Sequence, residues 1–176
     1  MKYIFSLVIV FTATFLYSQQ SSNDVAKWKT SVDQVEGSGE ATLIIEAIVD
    51  EGWYGYSKDE VPNGPLPTEF VFDESSDYEL VGEMTESGMK KVYDEMFEAE
   101  VKKFNPSATF KQKIKVKSEN DFIITASISY MVCSSTSCIP LGENIDFSVD
   151  GAKPTSKVQS DEGQNEIENV KEIEEN

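Results

Sequence analysis

Through Phe110–Lys117 polar and apolar residues alternate with period two. Lys111, Lys113, Lys115 and Lys117 share one face, and Phe110, Ile114 and Val116 lie on the other. That is the pattern of a strand with one wet and one buried face. Phe122–Val132 repeats it: Phe122, Ile124, Ala126, Ile128, Tyr130 and Val132 fall on one side, Thr125, Ser127 and Ser129 on the other. Shorter runs at Ala41–Val49, Glu69–Phe72, Tyr78–Gly82 and Asn144–Val149 predict further strands, set apart by Gly, Pro, Asn and Asp. Ser118-Glu119-Asn120-Asp121, between the two clearest strands, predicts a hairpin turn. Nothing before residue 151 carries a 3.6-residue period. The predicted fold class is therefore all-β, an immunoglobulin-like antiparallel β-sandwich.

The two ends differ from this middle. Lys2 precedes an apolar run, Tyr3–Tyr17, that closes on Ser18. The run is shorter than the roughly 20 residues of a spanning helix, so residues 1–19 are expected to be a secretory signal peptide. An uncleaved anchor is the alternative. No Cys follows the run to mark a lipoprotein. Residues 151–176 hold seven acids against three lysines and no aromatic residue, and are expected to form an acidic disordered tail. A short helix over Gln164–Glu175 is the one element conceivable there. Residues 20–150 are left as one domain. Export places it in an oxidising compartment, soluble once cleaved and spanning no membrane, where two cysteines are expected to pair or to cycle.

Composition narrows the chemistry. Fifteen Lys+Arg against 32 Asp+Glu give a net charge of −17, which argues against nucleic acid. Histidine is absent, which removes Ser-His-Asp triads, Cys-His pairs and HExxH zinc helices. Two cysteines cannot make a four-cysteine zinc site or hold an iron–sulfur cluster. The expectation is no metal, no bound cofactor and a monomer.

Chemistry concentrates at Tyr130-Met131-Val132-Cys133-Ser134-Ser135-Thr136-Ser137-Cys138-Ile139-Pro140. Four small hydroxyl residues let the backbone turn and bring the sulfurs within bonding distance. Pro140, which cannot donate to a ladder, fixes the chain as it leaves. A loop this short contributes only about 2 kcal/mol as a staple, against about 4.7 for a 100-residue loop. Spacing alone leaves open a redox pair, a structural staple and, weakly, a metal site, with no His and only Met131 nearby.

Six motifs in order carry a resemblance: Trp28-x-x-Ser31; Gly52-Trp53-Tyr54-Gly55-Tyr56-Ser57; Gly64-Pro65-x-Pro67-Thr68; Tyr93-Asp94-Glu95-Met96-Phe97; Phe110-x-Gln112; and Tyr130-x-x-Cys133-x4-Cys138-x-Pro140. From Trp28 to Val149 the chain resembles the N-terminal periplasmic domain of the thiol:disulfide interchange protein DsbD, the disulfide bond corrector family, here expected as a stand-alone secreted protein. The resemblance implies electron transfer by thiol–disulfide exchange through a redox-active disulfide. Reducing equivalents would pass to oxidised thioredoxin-like periplasmic proteins, such as disulfide isomerases and cytochrome-maturation factors. A membrane-linked donor would recharge the pair, so the chain would be an electron carrier, a protein-disulfide reductase at most.

It implies Cys138 as the sulfur that forms the mixed disulfide and Cys133 as the resolving thiol. It also implies a cap loop over the pair, Asp94-Glu95-Met96-Phe97, with Met96 or Phe97 as an apolar lid and Tyr54 and Tyr56 lining the site. Asp94 and Glu95 beside the sulfurs would disfavour a thiolate at rest, and either could accept a proton when a partner docks. Leu141 stands where members often have a second proline, a change expected to loosen the strand exit. Ser134-Ser135 replace frequent acids. The rival reading is an exported β-sandwich binding module with a purely structural disulfide and Tyr54 and Tyr56 as contact residues.

Overall fold

Along Glu40–Val49, Ser107–Val116, Phe122–Cys133 and much of Cys138–Val149 burial alternates, placing one row of side chains inside and the other toward water. The computed structural model describes residues 25–152; the expected signal peptide, the Gln164–Glu175 helix and nearly all of the acidic tail lie outside them. Ten strands follow in order among these residues: β1 Ala26–Gln34, β2 Glu40–Val49, β3 Tyr54–Tyr56, β4 Glu69–Phe72, β5 Tyr78–Ser87, β6 Lys90–Asp94, β7 Ala99–Phe104, β8 Ser107–Val116, β9 Phe122–Cys133 and β10 Cys138–Val149. They form two antiparallel sheets. One has the order β1-β2-β8-β5; the other runs β10-β9-β3-β7-β6, with β4 paired to β9 beside β3. The immunoglobulin-like sandwich expected from the periodicity is the fold found. No helix among the described residues is long and apolar enough to cross a membrane.

The inner faces share one core, with Leu43, Ile45, Phe110 and Ile114 from one sheet against Ile124, Ile128, Val132 and Phe147 from the other. Trp28 wedges between the layers, edge-on to Tyr130 at 4.9 Å and to Phe70 at 6.0 Å. Gln112, the polar break in the inner row of β8, is buried. Its Nε2 donates to Val81 O and Gly82 O, where the β5 ladder shifts register. Its shortest bond, 2.9 Å, is to Lys113 O in its own strand, and the bulge adds the further acceptors that suit a buried amide.

The expected turn at Ser118–Asp121 is present but does not close a hairpin. β8 pairs with β2 and β5, whereas β9 pairs with β10, β3 and β4, so this segment crosses from one sheet to the other. Both connections need the same turn residues, and only pairing tells them apart. Gly151 is buried with its N–H on Asp121 Oδ1, and Ala152 N–H donates to Ser118 O, so both residues bind back to that crossing.

Candidate functional site

The hairpin that carries the chemistry joins β9 to β10. Ser134 N–H donates to Ser137 O at 2.8 Å, and the Ser134 hydroxyl accepts from the Thr136 and Ser137 N–H groups. The hydroxyl residues between the cysteines therefore shape the turn as well as fitting it. Cys133 and Cys138 then face each other across the ladder, Cα atoms 4.1 Å apart, and are joined by a disulfide. Their exposures differ: Cys133 is 0% exposed, whereas Cys138 is half-buried. The reason is topological. β9 lies inside its sheet, while β10 is the edge, which also tolerates Pro140. The ladder continues through Leu141↔Tyr130, so the strand exit stays paired despite the missing second proline.

β3 makes the floor. Only three residues long, it pairs Tyr54 with Cys133 and Gly55 with Val132 on one side, Gly55 with Phe104 and Tyr56 with Lys103 on the other. Tyr54 OH donates to Ser134 O at 3.1 Å, tying the floor to the cysteine turn. Tyr56, Val101 and Cys133 form a small second core on which Phe97, Met131 and Cys138 pack.

The β6–β7 hairpin closes over it. Asp94 ends β6 and is buried; its Oδ1 accepts the Met96 N–H at 2.9 Å, bending the turn back on itself. Its Oδ2 accepts Tyr56 OH at 2.9 Å and lies 2.7 Å from Lys103 Nζ. The folded turn sets Met96 Sδ 3.3 Å from Cys138 Sγ. Phe97 turns the other way, half-buried and edge-on to Tyr56 at 6.0 Å. Of the two residues offered as alternatives for the lid, Met96 lies over the sulfur and Phe97 anchors the loop against Tyr56. Glu95 is exposed on the turn.

The expected all-acidic setting lacked its counter-ion. Lys103 reaches in from β7, its ammonium on Asp94 and 3.9 Å from the centroid of Tyr54. Nothing local in Val101-Lys102-Lys103 marks it, because its place follows from the β3–β7 register. Burial pushes the Asp94 carboxyl up, but the Lys103, Tyr56 and Met96 N–H bonds together outweigh it and hold the group below its ordinary 3.8. Burial, and then the Asp94 hydrogen bond, push the Tyr56 hydroxyl far above its usual range, so it stays a donor.

A depressed carboxylate stabilises the fold above its unfolded pKa, and that contribution is lost as pH falls below 3.8 toward the folded value. Asp94→Asn should therefore cost about 2 kcal/mol at pH 7, the scale of a buried charge-assisted hydrogen bond. The gap to wild type should narrow at pH 3. Urea unfolding at both pH values checks this; a gap of the same size at each would mean that ionised Asp94 contributes nothing.

Among the described residues no group of three His, Cys, Asp or Glu is placed to hold a metal. The family described as "Thiol:disulfide interchange protein DsbD, N-terminal" matches residues 22–149. Of solved structures, the N-terminal periplasmic domain of ScsB from Proteus mirabilis aligns at TM-score 0.53 and 17% identity, over 75% of this chain and 49% of that one. The chain thus spans about half the length of that domain, and at such identity the likeness concerns the fold alone. The Neisseria meningitidis DsbD N-terminal domain in the reduced form aligns at TM-score 0.47 and 17% identity, over 69% of this chain and 86% of that one. No curated protein matches the chain.

Proposed function

The chain belongs to the family of the N-terminal domain of the thiol:disulfide interchange protein DsbD, a thiol–disulfide exchange module, and from that membership we propose that Cys133 and Cys138 are the working couple of a periplasmic electron carrier. The observation that carries the reading is the asymmetry of the pair: Cys138 is half-exposed with Met96 against its sulfur, while Cys133 is closed off entirely. In the reduced chain, the Cys138 thiolate attacks a sulfur of an oxidised thioredoxin-like partner, whose other sulfur leaves as a thiolate. Cys133 then attacks Cys138 Sγ, the mixed disulfide breaks, and the partner departs with two electrons. A membrane-linked thioredoxin-like donor reverses the sequence and recharges the pair.

Met96 is the lid in this reading, and Asp94 its latch. A carboxylate already held by Tyr56, Lys103 and Met96 is a weak base, which favours the latch over the proton-accepting role expected for it. Docking has only to break the Met96 contact to uncover Cys138.

The reduction potential tests the proposal, read by thiol alkylation after equilibration with glutathione or thioredoxin. A working carrier should fall within about −270 to −120 mV, the span of known exchange proteins. A value below about −300 mV would identify a brace, as the rival binding-module reading requires. Replacing both cysteines by Ser should agree: a carrier folds almost equally well without the bond, whereas a brace loses the roughly 2 kcal/mol that closing so short a loop supplies.

A further inference from the structure

We infer that Met96 is a modification site: a hydroperoxide converts its thioether to the sulfoxide, and the modified side chain releases the lid over the Cys133–Cys138 disulfide. The inference rests on the lid part of the reading above and on nothing about the partner. Three observations carry it. Met96 is 47% exposed, whereas Met84, Met89 and Met131 are half-buried. Its sulfur touches Cys138 Sγ at 3.3 Å. Both cysteine sulfurs are tied up in the disulfide, so a thioether is the soft nucleophile left at the site for a two-electron oxidant, and Met131, which also packs there, is the less exposed of the two. Exposure is what selects among sulfurs of equal chemistry.

The step balances without a further reagent. The Met96 sulfur lone pair attacks one peroxide oxygen, the O–O bond breaks, and that oxygen stays as S=O. The other leaves, after proton transfer, as water from hydrogen peroxide or as the alcohol from an organic hydroperoxide. Sulfur loses two electrons and the peroxide gains them.

The product no longer suits its position. A flexible apolar side chain has become a polar, chiral one, and an S=O oxygen placed against the disulfide needs a donor. The hydroxyls flanking the site are already engaged, Tyr54 OH on Ser134 O and Tyr56 OH on Asp94. Solvent is the readiest source of hydrogen bonds for it, and burying the oxygen without them is unfavourable. The equilibrium of the loop then moves toward the open form, and thiol attack on Cys138 accelerates in proportion to the open fraction.

The test uses the full chain in its disulfide form. After treatment with hydrogen peroxide and removal of the excess, peptide mass should show one added oxygen on the Met96 peptide before Met84, Met89 or Met131. Reduction of the disulfide by dithiothreitol, followed by alkylation of released thiols, should then run about tenfold faster, equivalent to about 1.4 kcal/mol of lid closure. Met96→Leu should fold and show the same rate, whatever its value, with and without peroxide. Met96→Gln, polar at the same length, should be fast without peroxide, and a methionine sulfoxide reductase should restore the slow rate of treated wild type. The inference is overturned if Met96 is oxidised with no change in rate, if the other methionines react first, or if Met96→Leu responds as wild type does. None of these readouts involves a protein partner, so their failure would leave the exchange proposal standing. A structural potential would instead remove that proposal without touching the peroxide chemistry.

Discussion

Cys133→Ser is expected to hold thioredoxin-like proteins as a covalent mixed disulfide, and Cys138→Ser is expected to hold none. The expectation follows from where the two sulfurs sit rather than from their order in the chain. Cys133 lies on β9, between β10 and β3, in contact with Tyr56 and Val101 and wholly out of solvent. An attacking sulfur must approach along the axis of the bond it breaks, so a partner could reach Cys133 only if β9 left its sheet. Cys138 lies on the edge strand and is screened by Met96, on a turn held by the Met96 N–H on Asp94 and by Phe97 against Tyr56. Loop displacement is a small event beside strand separation.

A thioredoxin with its second cysteine replaced by Ser, carrying thionitrobenzoate on the first, would report the attack as released chromophore. Cys133→Ser should release it at nearly the wild-type rate and end as the mixed disulfide, lacking the thiol that resolves it. Cys138→Ser should be slower by about 100-fold or more, since no reachable thiolate remains. Comparable rates for the two variants would mean that the buried sulfur is not protected in solution and that the assigned roles are wrong.

How far the chain's pattern reveals this arrangement depends on burial. β8 and β9 show clean alternation because each presents one face to the shared core and one to solvent, and both are found where expected. β6 is exposed along most of its length, so it carries no period. β7 is short and lysine-rich, and β1, an edge strand, is exposed at most positions. All three were silent as strands, although Trp28 and Tyr93-Asp94 in them stand out as motif residues. β5 and β10 run several residues beyond the stretches that alternate, β5 through a bulge and β10 into the cysteine hairpin. The cysteine turn is legible because its determinants are adjacent in sequence. Lys103 is not, because it reaches Asp94 through a pairing register that brings strands from three parts of the chain together. Long-range neighbours of this kind set the electrostatics of the site, and a linear reading supplied only its acids.

Gly55→Ala is expected to be the most damaging single-atom addition near the site, lowering stability by about 3 kcal/mol, the upper range for overpacking, and Tm by about 10 °C. Gly55 is flanked by Val132 and Phe104 in the sheet, and a Cβ there would lie 2.2 Å from Phe104 Cζ and 2.5 Å from Cε1. The ring cannot swing aside: Phe104 is buried and meets Phe110 edge-on at 6.4 Å within the main core. The alternative is for β3 to move, and β3 carries Tyr54 and Tyr56, which hold the cysteine turn and the Asp94 latch. Stability and exchange should therefore fall together. Phe104→Leu removes the clashing ring atoms at the cost of a cavity, so the double variant should be more stable than the sum of the two single changes by about 1 kcal/mol or more. Additive losses would show that the ring is not what resists the new methyl. If coupling appears and exchange also recovers, the glycine is there because β3 can lie against the Phe104 ring, on the core face of the sheet, only without a side chain at that position.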